Sequence, residues 1–177
     1  MFSILRLIDH YPLRLLMLHL ALGISSTKFS IFSTVWGWSV IIFGGYNIMK
    51  YRNQHNAAGF FAAYLVGLEI VLRMTGAEIL WEFGKYGAIA LMLLGLFMEN
   101  IKQHRTSVFI IIYILALLPS VFLVPFDNPN LWRQFISFNL SGPLSLFFSF
   151  LYFRNRILSE IELIRLFRMI LLPLISM

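Results

Sequence analysis

Long uninterrupted runs of apolar residues restrict what this chain can fold into more than any other feature of the sequence. The clearest run, Phe29 to Met49, contains no charged residue. A bilayer core about 30 Å thick is crossed by about 20 helical residues, because an α-helix rises about 1.5 Å per residue. The run therefore predicts a helix that crosses a membrane.

Five further apolar stretches have a similar character. They are Pro12 to about Ser26, Ala57 to about Arg73, about Lys85 to about Met98, Ser107 to Pro125, and Gln134 to Phe153. Strands of a membrane β-barrel would instead alternate apolar and polar residues over about 10 positions. Because the runs are continuous, the predicted fold class is an all-α membrane protein, a polytopic bundle of about six transmembrane helices that forms a single domain over residues 1–177.

The composition agrees with lipid contact and excludes several other classes. Charged residues make up 12% of the chain, whereas about 25% is usual in soluble domains. The chain has no cysteine, and its four histidines have no ligand-like spacing, so neither a metal nor another cofactor is predicted. The net charge of +6 lies in short clusters between apolar runs, so the bilayer is a predicted partner and nucleic acid is not.

Basic residues are distributed unequally between alternate connections. One set of connections carries basic pairs: Arg6 and Arg14, Lys50 and Arg52, Lys102 and Arg105, and Arg154 and Arg156. The other set carries Lys28, then Lys85 beside Glu78 and Glu82, then Arg133 with Asp127. Because cytoplasmic loops carry the excess of Lys and Arg, the N-terminus is predicted to be cytoplasmic and the second set of connections to lie outside.

Glu69 and Arg73 are charged residues near the outer end of the third stretch. They are four residues apart, so they lie on one face of a helix and can pair. The simpler interpretation is a structural ion pair, or an Arg73 that extends its charge to the headgroups. The alternative is that Arg73 binds phosphate in an outward-facing cavity, because a guanidinium group matches phosphate with two hydrogen bonds.

Residues 75–86, with the sequence TGAEILWEFGKY, come next. Glu78, Glu82 and Lys85 are spaced by four and three, which predicts a short amphipathic helix at the periplasmic surface with Trp81 as its interfacial anchor. The two carboxylates are also candidates for acid and base, or for holding a divalent ion with a diphosphate. The candidate ligand-binding residues are therefore Arg73, Lys85, Glu69, Glu78 and Glu82.

The sixth stretch contains the motif NLSGP, from Asn139 to Pro143. Pro143 lacks an N–H group and crowds the carbonyl group of Asn139, and Gly142 adds backbone freedom, so a kink is predicted. Backbone groups that are freed at membrane depth are tolerated where they line a cavity. A polar pocket at this motif is thus an alternative to a purely structural kink.

The C-terminal segment has two interpretations. Glu162, Arg165 and Arg168 are spaced by three, which is typical of a helix that lies on a membrane surface. The apolar run that follows, residues 169–176, is too short to cross a bilayer and starts directly after its basic anchors. The favoured interpretation is an incomplete seventh span rather than an interfacial helix, in the N-terminal part of a longer protein.

Two stretches resemble a known family. Residues 63–95, AYLVGLEIVLRMTGAEILWEFGKYGAIALMLLG, and residues 133–153, RQFISFNLSGPLSLFFSFLYF, look like the N-terminal third of O-antigen ligase and O-antigen polymerase-like membrane proteins of Bacteroidetes-type bacteria. Members begin in the cytoplasm and transfer or polymerise glycans carried on undecaprenyl diphosphate. The resemblance implies a multi-pass protein of the inner membrane, in polysaccharide or lipopolysaccharide assembly, with an undecaprenyl-diphosphate-linked glycan as a partner.

The resemblance assigns no catalytic residue to this chain. Catalysis in the family is attributed to Arg and His residues of a large periplasmic loop beyond the sixth span, and the sequence ends before such a loop. The resemblance implies that this chain supplies part of the groove for the lipid carrier. Arg73 is the leading candidate to lie near the diphosphate, and Lys85 is the second candidate. The piece alone is expected to be inactive.

Two other function classes stay open at this point. A small transporter or channel subunit would use Glu69 and a broken sixth helix as a midplane site. A non-enzymatic membrane protein would assemble with partners through small-residue faces such as Gly84, Gly87 and Gly95.

Overall fold

Helices make up the regular structure of the part of the chain that is described. The structure is a computed structural model, and it describes residues 12–80, 82–99, 108–117, 119 and 129–177. The helices are α1 (Pro12–Lys28), α2 (Ser30–Tyr51), α3 (Ala57–Met74), α4 (Phe83–Met98), α5 (Val108–Leu117), α6 (Pro129–Phe153) and α7 (Glu160–Leu174). A 3-10 turn, Gln54–Asn56, leads into α3. No strand occurs among the described residues, so the all-helical prediction is confirmed.

Three helical segments are long and apolar enough to cross a membrane, namely Ser30–Tyr51, Gln54–Met74 and Leu131–Phe153. The other predicted spans correspond to shorter helices in the described ranges: α1 has 17 residues, α4 has 16 and α5 has 10. Most of the fifth predicted span beyond α5 lies outside the described residues. Three helices of this length and composition support association with a membrane.

α3 is the centre of the bundle and packs against α2, α4 and α7. Leu65 and other apolar side chains along it are fully buried. α4 runs antiparallel to α3, because Gly84 at its start lies against Glu69 and Gly95 near its end lies against Ala58. Small residues at these contacts let the two backbones approach closely, which is how helices associate where lipid removes the hydrophobic driving force.

α7 runs parallel to α3, and the backbones of the two helices approach each other closely. Asn56 contacts Glu162 at the start of α7, and Gly67 lies beside Ile170 towards its end. A Cβ atom at Gly67 would lie 2.0 Å from the carbonyl oxygen of Ile170, so this approach requires glycine. Ser159 and Glu162 form a capping box that starts the helix. The C-terminal segment is therefore a 15-residue helix that packs along the bundle.

The predicted amphipathic helix over residues 75–86 is wrong. Residues 75–80 form turns and bends, Gly76 has a φ of +65°, and α4 begins only at Phe83. Residue 81 lies outside the described residues. The helical spacing of the charges misled the prediction because Glu82 and Phe83 are 2% and 3% exposed. Packing against neighbouring helices fixes the positions of these two side chains, so they do not belong to an amphipathic helix on the surface.

The glycines proposed for assembly with partners face the chain's own helices. A Cβ atom at Gly87 would lie 2.9 Å from Cδ1 of Ile41 in α2, and one at Gly84 would lie 2.6 Å from Cβ of Glu69 in α3. Gly95 is covered in the same way by α3 and the connection before it. The assembly hypothesis therefore loses the surface on which it was based.

The connection between α2 and α3 is an unusual turn. Arg52, Asn53, His55 and Asn56 all have φ between +48° and +58°, a region that asparagine tolerates better than most residues. Asn53 is 1% exposed, and its amide oxygen accepts a hydrogen bond from the backbone N–H of Ala58 at 2.7 Å. The side chain of Asn53 therefore supplies an acceptor for a backbone N–H group in the first turn of α3, where such groups have no partner within the helix.

Polar side chains from four elements close this end of the bundle. The amide nitrogen of Asn53 donates to Glu99 at 2.7 Å and to the hydroxyl group of Tyr152 at 3.0 Å. Arg156 pairs with both oxygens of Glu99 and stacks 3.9 Å above the Tyr152 ring. We call this the Asn53 end; the opposite end, with residues 75–80, Glu82 and the start of α6, is the Glu82 end.

The helix directions agree with the predicted alternation of connections. At the Glu82 end, the backbone N–H of Glu78 donates to the Thr34 hydroxyl near the start of α2. The hydroxyl groups of Tyr86 and Ser137 lie 3.3 Å apart and join the starts of α4 and α6. Among the described residues, the α1–α2 and α3–α4 connections and the start of α6 therefore lie at the Glu82 end, whereas the α2–α3 and α6–α7 connections lie at the Asn53 end.

A buried polar contact joins α1, α2 and α3 in the interior. The ring nitrogen Nε1 of Trp36 donates to the Tyr64 hydroxyl at 3.0 Å, and Nε2 of His19 lies 2.7 Å from the same oxygen. The Nδ1 atom of His19 lies 2.8 Å from the carbonyl oxygen of Leu15, which can only accept. His19 thus donates through Nδ1, and its Nε2 accepts from Tyr64 when the ring is neutral.

Candidate functional site

Four charged side chains meet where α3 and α4 approach at the Glu82 end. Glu69 and Arg73 form an ion pair one turn apart on α3. The ammonium group of Lys85 lies 2.6 Å from Oε2 of Glu82, and Nη2 of Arg73 lies 3.7 Å from the same oxygen. Glu82 therefore joins two ion pairs into one charged cluster, which consists of Glu69, Arg73, Glu82 and Lys85.

The carboxylates of the charged cluster lie inside and the cations lie towards the outside. The side chains of Glu82 and Glu69 are 2% and 12% exposed, whereas those of Arg73 and Lys85 are 41% and 36% exposed. A buried carboxylate is costly unless it is paired, so the two cations make the burial of Glu82 possible. In return, the carboxylates hold the cations in fixed directions, and the four formal charges cancel.

Gly84 makes the charged cluster possible. A Cβ atom at this position would lie 2.6 Å from Cβ of Glu69 and 3.0 Å from the carbonyl oxygen of Leu65. The start of α4 can therefore lie directly on α3, with Oε2 of Glu82 3.7 Å from Nη2 of Arg73. Next to Glu82, the ring of Phe83 contacts the ring of Trp38 on α2 edge to face, with 5.1 Å between the ring centroids.

The sixth predicted span reaches the charged cluster through Ser141. The ammonium group of Lys85 donates to the Ser141 hydroxyl at 3.3 Å, and Ser141 is fully buried. This serine lies in the Asn139–Pro143 motif, so the polar part of the motif faces a charged group, as the pocket alternative expects. α6 is one continuous helix across Pro143, so the interruption that the transporter alternative needs is not seen.

An apolar cavity of about 310 Å³ lies between α3, α4, α6 and α7. Its walls include small residues such as Gly59, Ala62 and Ala63, together with Phe167 from α7. Lys85 also lines it. The cavity is therefore apolar along most of its wall and meets the charged cluster at one residue.

A wider crevice of about 870 Å³ opens between α2, α4 and α6 at the Glu82 end. Glu82 lines it, so the crevice and the charged cluster share a wall. Its other lining residues are Trp38, Glu78, Ile79, Leu80, Tyr86, Trp132, Arg133, Gln134, Ile136 and Ser137. A smaller cavity of about 250 Å³ borders Arg73 and Glu69 on the other side. The charged cluster is therefore bordered by open space on several sides.

Four of the five candidate ligand-binding residues meet in the charged cluster, and Glu78 does not. The exposed Glu78 lines the crevice, and its backbone N–H group donates to Thr34. The candidate list lacked Ser141 and Tyr86. The Asn139–Pro143 motif was a signal for Ser141, whereas no local pattern indicated that Tyr86 would meet Ser137 across two helices.

Metal ligands are not grouped in the ranges of the chain that the structure covers. No set of three or more His, Asp and Glu side chains lies close enough to hold an ion among those residues. The carboxylates of Glu69 and Glu82 are each engaged with a cation. The chemistry that the cluster offers is therefore hydrogen bonding and charge from two oriented cations.

The fold and the site define a helical chain with three candidate spans and a charged cluster between helices at one end. Comparison with known proteins adds no name to this description: no protein-family model, no curated protein and no solved structure matches the chain. The function must therefore be argued from the geometry of the site.

Proposed function

We propose that the chain is part of an integral membrane protein that binds an amphipathic lipid with a phosphate or diphosphate headgroup. The observation that carries the proposal is the position of Lys85. Its ammonium group contacts Glu82 and Ser141, and its side chain also lines the 310 Å³ apolar cavity. A lipid needs such a junction, with apolar space for its chain and cations for its headgroup.

The charge balance of the cluster favours a lipid over a free anion. Two carboxylates cancel two cations, so the cluster attracts an anion only weakly from a distance. Binding must then come from short-range hydrogen bonds donated by Arg73 and Lys85. Both side chains are more than a third exposed, so they are accessible to a headgroup. A headgroup that diffuses within the membrane on its own chain does not need long-range attraction.

The family resemblance suggests which lipid this is. We propose that the chain is the N-terminal membrane portion of a glycan ligase or polymerase, and that the lipid is undecaprenyl diphosphate that carries a saccharide. In this proposal the chain has about six spans, a cytoplasmic N-terminus and a position in the inner membrane. The Glu82 end then faces outside, where a lipid-linked glycan would be transferred, and residues beyond this chain would supply the catalysis.

Lipid binding by the purified chain tests the proposal. The chain in detergent is incubated with undecaprenyl phosphate and undecaprenyl diphosphate, and the bound lipid is measured by native mass spectrometry. Arg73→Lys keeps the positive charge but cannot make a bidentate pair of hydrogen bonds to a phosphate group. Lys85→Gln removes the positive charge. Losing a charge-assisted hydrogen bond costs about 1.5–3 kcal/mol, so each variant is expected to bind about 10- to 100-fold more weakly.

The matched control is Arg154→Lys. Arg154 is an exposed arginine at the Asn53 end, where it lies against the Phe150 ring. This variant is expected to bind the lipid as the original chain does. Equal lipid binding by all three variants would show that the charged cluster is a structural ion-pair network without a role in binding.

A further inference from the structure

We infer that the crevice of about 870 Å³ at the Glu82 end binds an uncharged sugar ring. The inference deepens the proposed function and rests on it in one respect, namely that this sugar is the one attached to the lipid phosphate. The crevice has the size of an ordinary ligand site, for which about 300–1,000 Å³ is typical. Its chemistry identifies the class of ligand.

Aromatic rings enter the crevice from three helices. Trp38 of α2 and Tyr86 of α4 are 48% and 40% exposed, and Trp132 of α6 lines the same space. A sugar ring presents a face of C–H groups that packs on an aromatic ring, while its edge carries hydroxyl groups. Partly exposed rings at a crevice wall therefore suit a ligand that is apolar on its face and polar at its edge.

Planar polar groups lie among these rings. Glu78, Arg133 and Gln134 are exposed side chains that line the crevice, and each ends in a planar group with two hydrogen-bonding atoms or more. Such groups can bind two adjacent hydroxyl groups at once. A purely apolar ligand would leave these groups without partners at a cost in binding free energy, so the lining favours a polyhydroxylated ligand.

The charges of the crevice disfavour an anionic ligand. Two carboxylates, Glu78 and Glu82, line it together with one cation, Arg133. Lys85, which pairs with Glu82, lines the apolar cavity and not the crevice. The crevice therefore carries no excess of positive charge, and a neutral sugar fits it better than a uronic acid or a free phosphate.

Glu82 separates the crevice from the cations of the charged cluster. Its carboxylate lies 2.6 Å from Lys85 and also lines the crevice. A sugar in the crevice and a phosphate at Arg73 and Lys85 would thus be neighbours across one side chain. This is the order of groups in a glycosyl phosphate, which is why we assign the sugar next to the phosphate to the crevice.

The test uses probes that contain neither lipid nor phosphate. Saturation-transfer NMR with the full chain in detergent measures binding of the methyl glycosides of glucose, N-acetylglucosamine and glucuronic acid. Saturable binding of a neutral glycoside is expected, with at least tenfold weaker binding in Gln134→Ala and in Trp38→Leu. The control Gln54→Ala changes an exposed residue at the Asn53 end and is expected to bind unchanged.

The outcomes separate the inference from the proposed function. Because Gln134 is exposed, its variant is expected to fold, so a loss of glycoside binding in it supports the crevice directly. Absence of saturable glycoside binding, equal binding by all variants, or preference for the glucuronide overturns the inference. If undecaprenyl phosphate still binds in that case, the proposed function stands. If glycosides bind but the lipid phosphate does not, the crevice stands and the proposed function fails.

Discussion

Replacing Gly67 with alanine tests how closely α7 lies against α3. The new methyl group would lie 2.0 Å from the carbonyl oxygen of Ile170 and 2.9 Å from Cγ of Pro173. A close carbon–oxygen contact in proteins is about 3.3 Å, so α7 has to move away by about 1.3 Å. That movement also loosens the contacts of Met169, which is 4% exposed.

The expected cost follows from two opposing effects. Overpacking costs about 1–3 kcal/mol, and alanine is about 1 kcal/mol better than glycine inside a helix. Gly67→Ala should therefore destabilise the chain by up to about 2 kcal/mol. Gly142→Ala in α6 is the matched control, because nothing lies within 4 Å of its Cβ position. It should be neutral or stabilise the chain by up to about 1 kcal/mol.

The free energy of unfolding is measured by titrating the detergent-solubilised chain with SDS and following tryptophan fluorescence. The four tryptophans of the chain make this signal available without labelling. The two variants are expected to shift the midpoint in opposite directions, or only Gly67→Ala to shift it. An increase in stability for Gly67→Ala equal to that of Gly142→Ala would show that α7 does not pack on α3 as described.

Three further predictions concern single side chains. Tyr64→Phe removes a buried hydroxyl that two ring nitrogens contact, so we expect a loss of about 1–3 kcal/mol of stability by the same SDS titration. Hydrogen bonds from Ser159 hold the pKa of Glu162 below its ordinary value. The capping box should therefore stabilise α7 fully at pH above the ordinary value of 4.5 and lose this effect as the pH falls through the lowered pKa. The pH dependence of the SDS midpoint measures this. Ser159→Ala keeps the backbone N–H bond to Glu162 and should only weaken the dependence, whereas Glu162→Gln should abolish it. Arg156→Lys breaks the two-pronged pair with Glu99 and should increase proteolysis of residues 154–159, whereas unchanged proteolysis would contradict that role.

Local spacing made part of the site predictable. Glu69 and Arg73 are one helical turn apart, so their pairing needs only that α3 is a helix, and the structure has this pair. The alternation of basic connections likewise depends only on the order of helices along the chain. Neither feature needs knowledge of which distant helices touch, which is why a single sequence was sufficient for the pair and for the order of the described connections.

The remaining part of the site depends on contacts that sequence spacing does not carry. Glu82 meets Arg73 only because Gly84 lets α4 lie on α3, and the same spacing of charges predicted a surface helix instead. Ser141 on α6 reaches Lys85 on α4, although the two residues are 56 positions apart in the sequence. A pattern within one helix indicates which face is polar, but it does not indicate which neighbouring helix covers that face.

Labelling of single cysteines tests the central claim most directly, namely that the helices cross a membrane and present the Glu82 end outside. The chain has no cysteine, so Glu78→Cys and Arg154→Cys each introduce one exposed thiol, at opposite ends of the bundle. In intact cells, a membrane-impermeant maleimide should label position 78 directly and position 154 only after permeabilisation. Labelling of both positions from the same side, or recovery of the chain in the soluble fraction without detergent, would contradict the account.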